Sequence, residues 1–449
     1  MSYEKWSFGY AVLKKYVQFA DWIIHKRVVV TGRENIPNNK PILLAPNHQN
    51  ALSDPLAILL HTNFQPVWLA RADIFKNKHI AAILKFLKIM PVYRMRDGKE
   101  NLTKNDETFT ESIKVLANNG ALGLFPEAAH SGKRQMLVHK KAVPRIAFMA
   151  LEKAENNLDI QIIPTGIYYS SYWKFNRELL VNFGKPISAA AYFEKYKENE
   201  NSAVQELRQK IYEELLPLVI EIKSEKYYKD YEKIREIYSN HFFRRQKKKK
   251  SLVNRFLSDK LLIQKLETLE EKNPEEFEKV ILAMRAYYDK LDEFQIRSWI
   301  IENPFLNLTK IGINNIIMLL TLPVFLIGAI GNAVPYLAID TFIRKKVNDQ
   351  AFWSSFSLVA GIVLFPLFYI LLFLLFGWWI PGGFLVNFGL FLSLPFFGKL
   401  AFKWYILFRK TVGRGHLLEL RLFNQKEFYS LFRDKDVLYR KLDDLLPLS

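Results

Sequence analysis

The chain has 449 residues, no cysteine, and 64 Lys and Arg against 45 Asp and Glu, a formal charge of +19. At roughly 150 residues per domain it holds two or three folding units, and without thiols it can form neither disulfides, cysteine metal sites nor an enzyme-bound thioester. The positive balance, with 14% aromatic residues, suits an anionic partner, either nucleic acid or a membrane surface.

Residues 1–26 set Trp6, Phe8, Tyr10, Tyr16, Phe19 and Trp22 among Lys5, Lys14, Lys15 and Lys26. The segment is too charged for a signal peptide and too interrupted to span a bilayer. It predicts an interfacial amphipathic helix, the plainer alternative being a helix packed on the domain.

Over residues 27–222, β-rich runs alternate with helical spacing. The strand candidates are Val28–Thr31, Ile42–Ala45, Val67–Ala70, Ile89–Tyr93, Ala121–Phe125, Ile160–Ile167 and Leu179–Phe183, with helical patterns over Leu102–Ala117 and Val143–Ala154. The alternation predicts an α/β domain, a mostly parallel sheet flanked by helices. In such sheets reactive groups gather beyond the carboxyl ends of the strands.

Residues 223–310 are rich in Glu, Lys, Tyr and Leu and read as a charged helical region, interrupted by the basic run Arg244 to Lys250. Such a run is commonly a solvated face, and otherwise an anchor for anionic headgroups.

Two uncharged stretches, Ile311–Ile339 and Ala351–Gly398, lie within residues 311–410 and decide for a membrane partner over nucleic acid. A span takes about 20 residues, so the second holds a hairpin, Phe356–Ile380 and Phe384–Phe402, turned at Pro381-Gly382-Gly383. Arg344, Lys345 and Lys346 before it, and Lys399, Lys403, Arg409, Lys410 and Arg414 after it, put both ends in the cytoplasm. A single crossing at Ile311–Ile339 would place the α/β domain on the opposite face. Pro323, Gly328, Gly331 and Pro335 interrupt that run, so a re-entrant pair of short helices is expected, with three full crossings as the alternative. Residues 411–449 read as a cytoplasmic amphipathic helical tail.

The chemistry concentrates at two predicted strand ends. After Ile42–Ala45 come Asn47, His48 and Asp54; after the run ending at Phe125 come Pro126, Glu127 and a basic stretch with Lys133, Arg134, Lys140 and Lys141. A neutral imidazole can take the proton of an attacking hydroxyl, and a carboxylate on its other nitrogen fixes the tautomer. Asp54-Pro55 equally reads as a helix N-cap followed by Pro at the first helical position, and both readings stand. Basic groups beside such a base suit a phosphate-bearing alcohol held by ionic hydrogen bonds, whereas a solvated loop is the bland reading. His130 and His139 read as ordinary polar residues, with no carboxylates to make a metal site.

Taken in order, Asn47-His48 with Asp54, then Met90-Pro91-Val92-Tyr93-Arg94, then Phe125-Pro126-Glu127, then Ile162 to Ile167 resemble the blocks of the glycerolipid acyltransferases, across about residues 25 to 220. Two features depart from the usual pattern. Five residues, Gln49 to Ser53, separate His48 from Asp54 where four are usual, and Ala128-Ala129-His130 stand where Gly-Thr-Arg is usual. Both are similar to the branch that includes fungal glycerol-3-phosphate acyltransferases, whose members also tend to carry C-terminal membrane segments.

The resemblance implies transfer of a fatty acyl group from acyl-CoA or acyl-carrier protein to glycerol-3-phosphate or 1-acylglycerol-3-phosphate, in phosphatidic acid synthesis on the cytoplasmic face of a membrane. His48 would be the base and Asp54 its orienter. Arg94 and Glu127 would position the acceptor, and Lys133, Arg134 or Lys140 would take over phosphate binding. Backbone N–H groups near Arg94 or Ala128 are the candidates for meeting the oxyanion. No cofactor or metal is expected, and the partners are membrane lipids, the acyl donor and the phosphorylated acceptor. An acyltransferase for another lysophospholipid or an amino-acid lipid, and a non-catalytic lipid-binding scaffold of the same fold, are the alternatives.

Overall fold

The computed structural model describes residues 3–93, 104–155, 157–302 and 306–448. It divides into two compact units, Met1–Glu221 with Val347–Leu358, and Ile222–Lys346 with Val359–Ser449.

The first unit is built on an eight-stranded sheet in the order β1-β7-β6-β2-β5-β3-β4, with β8 pairing β6. The strands are β1 (His25–Thr31), β2 (Ile42–Pro46), β3 (Val67–Arg71), β4 (Ile89–Val92), β5 (Ala121–Gly123), β6 (Gln161–Tyr169), β7 (Arg177–Phe183) and β8 (Ile187–Ser188). Every strand expected from the sequence forms, and β8, two residues long, is too short to leave a periodic signal. Pairing is parallel except where β6 meets β7 and β8. The helices are α1 (Phe8–Ile24), α2 (Ser53–Leu59), α3 (Lys78–Phe86), α4 (Lys104–Ala117), α5 (Ala142–Lys153), α6 (Phe193–Glu198) and α7 (Glu200–Leu215).

Side chains alternate across a strand, and here both faces are covered. Leu43, Ala45, Val67 and Leu122 enter one core with Leu116, Phe148 and Leu207 of the helices. Ile42, Leu44, Trp68, Ile163 and Val181 enter the other. Burial on both faces is why these strands read as continuous apolar runs.

The first helix packs on the domain along one face. The α1 residue Tyr10 is buried and Lys14 Nζ donates to the carbonyls of Thr62 and Phe64, at 2.6 and 3.1 Å. Trp6, Phe8 and Trp22 stay 68%, 72% and 50% exposed.

The second unit contains α8 (Tyr228–Arg245), α9 (Leu252–Lys272), α10 (Pro274–Glu293), α11 (Ser298–Ile301), α12 (Leu306–Leu320) and α13 (Leu322–Lys346). The helix α14 (Trp353–Phe376) begins in the first unit, and α15 (Gly383–Phe423) and α16 (Gln425–Leu445) complete the second. Leu322–Lys346, Gln350–Phe376 and Gly383–Phe423 are long and apolar enough to cross a membrane, and Leu308–Leu320 is a shorter apolar helix.

The expected hairpin turn forms, with Gly382 and Gly383 at φ +140° and +77°, values open to glycine. The expected re-entrant pair does not. Instead α13 runs unbroken for 25 residues through Pro335. Its glycines are contact points rather than breaks: a Cβ on Gly328 would lie 2.2 Å from the Phe397 carbonyl oxygen, and one on Gly331 2.7 Å from Leu394. Small residues let apolar helices approach closely. Asn332 Nδ2 adds a bond to the Leu394 carbonyl at 3.0 Å, and the Tyr369 hydroxyl donates to Asn332 Oδ1. The helix α15 continues past residue 410 to Phe423, and the tail helix starts at Gln425.

Candidate active site

The strands β2 and β5 are parallel neighbours, so the loops leaving their carboxyl ends emerge side by side. The first carries His48 and the second Glu127. Asn47 fixes the exit of β2 by imitating a strand residue: its Oδ1 accepts from Ile167 N at 2.7 Å, and its backbone N–H donates to the Thr165 carbonyl.

The loop then curls so that one oxygen of Asp54 gathers three donors. Asp54 Oδ2 lies 2.9 Å from His48 Nδ1 and accepts from the backbone N–H of Gln49 and of Asn50, both at 2.7 Å. The longer spacing between His48 and Asp54 closes through Ala51 at φ +39°. Asp54 sits in the first turn of α2 without serving as its N-cap, which is Leu52. The capping alternative therefore fails, and the carboxylate is aimed back at the imidazole.

With Nδ1 on Asp54, Nε2 is the free nitrogen of His48, and it has no hydrogen-bond partner among the described residues. The ring is 15% exposed, so a substrate can reach it. Phe125 stacks on it at 3.9 Å and 19°, and Trp68 stacks in turn on Phe125 at 5.5 Å. His130 meets it edge-on at 5.6 Å. Burial and the neighbouring His48 hold His130 below its usual range.

Glu127 is 1% exposed. Its Oε1 accepts from His48 N at 2.8 Å and its Oε2 from Leu137 N at 2.7 Å. Burial pushes its carboxyl up to about 8 against the pull of these two backbone donors. Both oxygens are engaged by main chain, so in this geometry Glu127 sets the backbone that carries His48. Ala128, next to it, adopts φ +56°, the left-handed conformation that a glycine takes readily. Its N–H donates to the Phe125 carbonyl at 3.1 Å, so this amide, expected as an oxyanion donor, is already bonded.

The basic loop divides. Lys133 and Lys140 are exposed. Arg134 is 2% exposed, donates to the Tyr169 carbonyl at 2.7 Å, and lies over the rings of Tyr168 and Tyr172 at 4.9 and 5.2 Å. Arg94 lies outside the described residues. His139 is buried with neither ring nitrogen hydrogen-bonded, and burial pulls it down to about 4, as a neutral core histidine.

Sequence reasoning missed the support from far along the chain. Ser354 Oγ donates to Asn50 Oδ1 at 2.8 Å and lies 3.0 Å from Ser53 Oγ, while Asp349 Oδ2 stands 3.5 Å from His130 Nε2. Phe352 packs edge-on against His130 at 4.6 Å. Behind the dyad, the buried Arg177 lies over Tyr169 at 4.7 Å and donates to His25 Nε2 at 3.3 Å. None of these carries a local motif, and only the serine-rich start of an apolar run could have drawn notice.

A protein-family model for acyltransferases matches residues 27–168. This segment is an acyltransferase-family domain. The chain is similar to the 1-acyl-sn-glycerol-3-phosphate acyltransferase of Borreliella burgdorferi, 24% identical over 174 residues that make up 38% of this chain and 66% of that protein. It is also similar to glycerol-3-phosphate O-acyltransferase 2 of Saccharomyces cerevisiae, 30% identical over 108 residues, 24% of this chain and 14% of that protein. The matches thus span just under two thirds of the first relative and a seventh of the second. Among solved structures, the 1-acyl-sn-glycerophosphate acyltransferase of Thermotoga maritima aligns with a TM-score of 0.33 and 20% identity, covering 45% of this chain and 78% of that one.

Proposed function

We propose that the protein is a membrane-bound O-acyltransferase that moves a fatty acyl group from acyl-CoA or acyl-carrier protein to glycerol-3-phosphate or 1-acylglycerol-3-phosphate. The observation that carries this reading is the His48–Asp54 pair, with Nδ1 held by a buried carboxylate and Nε2 left to solvent. In an acyl transfer, Nε2 takes the proton of the acceptor hydroxyl as its oxygen attacks the thioester carbon. Asp54 stabilises the imidazolium. The tetrahedral intermediate then collapses, the C–S bond breaks, and the proton passes from Nε2 to the departing thiolate.

The names of the relatives and the basic loop support a phosphorylated acceptor. Lys133 and Lys140 are the exposed cations for its phosphate, and Arg134 would need to leave its carbonyl and ring contacts to share that role. Arg94 is proposed beside them. The three long apolar helices support a bilayer location, where the acyl chains of substrate and product already reside. The catalytic domain is placed on the cytoplasmic face, the side of its acyl donors; with α13 as a single unbroken crossing, the basic flanks of the hairpin do not fix that side.

The test is turnover by purified, detergent-solubilised full-length protein with labelled acyl-CoA or acyl-carrier protein and a panel of acceptors. Wild type acylates one of the two glycerol phosphates, and His48→Ala, still folded, loses nearly all transfer. Retention of substantial turnover by His48→Ala refutes the base assignment. Preference for a non-phosphorylated acceptor refutes the substrate class.

A further inference from the structure

The second unit contains a cavity of about 490 Å³ with six cationic side chains in its lining, Arg244, Lys248, Lys250, Arg255, Lys310 and Arg414. A single carboxylate, Glu302, also lines it and pairs with Arg244. Six cations against this one carboxylate leave the cavity strongly positive, and such a cavity focuses its field on a counter-ion.

Arg414 makes this more than a solvated basic patch. It is 8% exposed, and its Nε and Nη1 have no hydrogen-bond partner among the described residues. Its guanidinium lies over the Trp299 ring at 4.9 Å, which offsets part of its desolvation. A buried guanidinium with unused N–H groups is destabilising until an anion meets it, and the planar fork fits phosphate oxygens.

The depth of the cavity points to the source. Asn314 Nδ2 donates to Thr411 Oγ1 at 2.9 Å, joining α12 to α15 one turn nearer their apolar lengths than Lys310 and Arg414. The cavity therefore lies at the polar end of two apolar helices, where basic pockets meet anionic headgroups.

We propose that this cavity is a binding site for a phosphate group bearing net negative charge, supplied by the headgroup of an anionic phospholipid or by a soluble phosphate. It uses no residue of the proposed acyl-transfer site, so its fate does not depend on that reading.

The chain's lack of cysteine gives a local reporter. Lys248→Cys, labelled with an environment-sensitive fluorophore in the full-length protein in neutral detergent, is titrated with dioctanoyl phosphatidic acid, dioctanoyl phosphatidylcholine and inorganic phosphate. The expected result is a saturable response to phosphatidic acid at concentrations at least about tenfold below any response to phosphatidylcholine, weakened about tenfold by Arg414→Gln, the scale of one ionic hydrogen bond. A response to phosphatidic acid alone assigns the lipid headgroup; an equal response to inorganic phosphate assigns soluble phosphate. No response, an equal response to phosphatidylcholine, or a response unchanged in Arg414→Gln overturns the proposal. If Arg414→Gln does not fold, the half-buried lining pair Lys310→Gln with Arg255→Gln carries the same test, and unchanged affinity there also overturns it.

Discussion

Glu127 Oε1 accepts the backbone N–H of His48 at 2.8 Å across 79 residues of sequence. With Oε2 on Leu137 N, one buried carboxylate ties the loop after β2 to the loop after β5. The acid of the Phe-Pro-Glu block thus acts on His48 through the main chain.

Glu127→Gln tests this. Assayed above about pH 8, where Glu127 is ionised, an amide in place of the carboxylate points an N–H group at one of the two backbone donors, so one bond is replaced by a repulsive contact. A displacement of about 1 Å at a reacting group costs roughly 10²-fold in rate. The expected outcome is a kcat lower by 10- to 100-fold at nearly unchanged acceptor KM, measured in steady state. A rise in KM at constant kcat would show instead that the carboxylate holds the acceptor.

The same residue gives stability a pH dependence. Burial pushes its folded pKa up to about 8, against about 4.3 in the unfolded chain, so between these values the folded state holds more protons. Stability then falls as pH rises from about 5 to about 8. Thermal midpoints of wild type should decline over that window relative to Glu127→Gln, whose site does not titrate. Parallel profiles would contradict this.

Asp54→Asn removes the charge and leaves an amide against three donors, His48 Nδ1, Gln49 N and Asn50 N. The analogous change in a Ser-His-Asp triad lowers kcat by about 10⁴ through the wrong tautomer. We expect a loss of roughly 10³- to 10⁴-fold in kcat. The double variant with His48→Ala should be scarcely slower than His48→Ala alone, because residues acting as a unit are not additive. Additive losses would separate the two roles.

Ala128→Gly should be tolerated. At φ +56° alanine carries a left-handed strain of about 1 kcal/mol that glycine lacks. Stability should rise by up to about 1 kcal/mol with turnover retained, whereas Ala128→Val should lose stability by more than that. Chemical denaturation of the three proteins decides it, and a destabilised glycine variant counts against the assigned conformation.

Gly123→Ala should disturb the site from beneath. Its Cβ would lie 2.5 Å from the Trp68 ring, and Trp68, Phe125 and His48 stack in sequence. Overpacking of this kind costs about 1–3 kcal/mol. The melting temperature and kcat should fall together, and a change in neither would mean that the stack does not transmit the clash.

The sequence by itself determined the strands, because β2, β5 and β6 are buried on both faces and so carry unbroken apolar runs. It also brought His48 and Asp54 into one short loop but left Asp54 open between capping a helix and facing the imidazole, which the fold of that loop decided. Tertiary structure decided what depends on distant partners. Glu127 faces main chain rather than solvent, and Arg134 turns inward onto Tyr168 and Tyr172. Ser354 reaches Asn50 from 304 residues away. The glycines of α13 looked like breaks because local propensity penalises them in helices, and the packing of α13 against α15, which needs small residues at the contact, outweighed that preference.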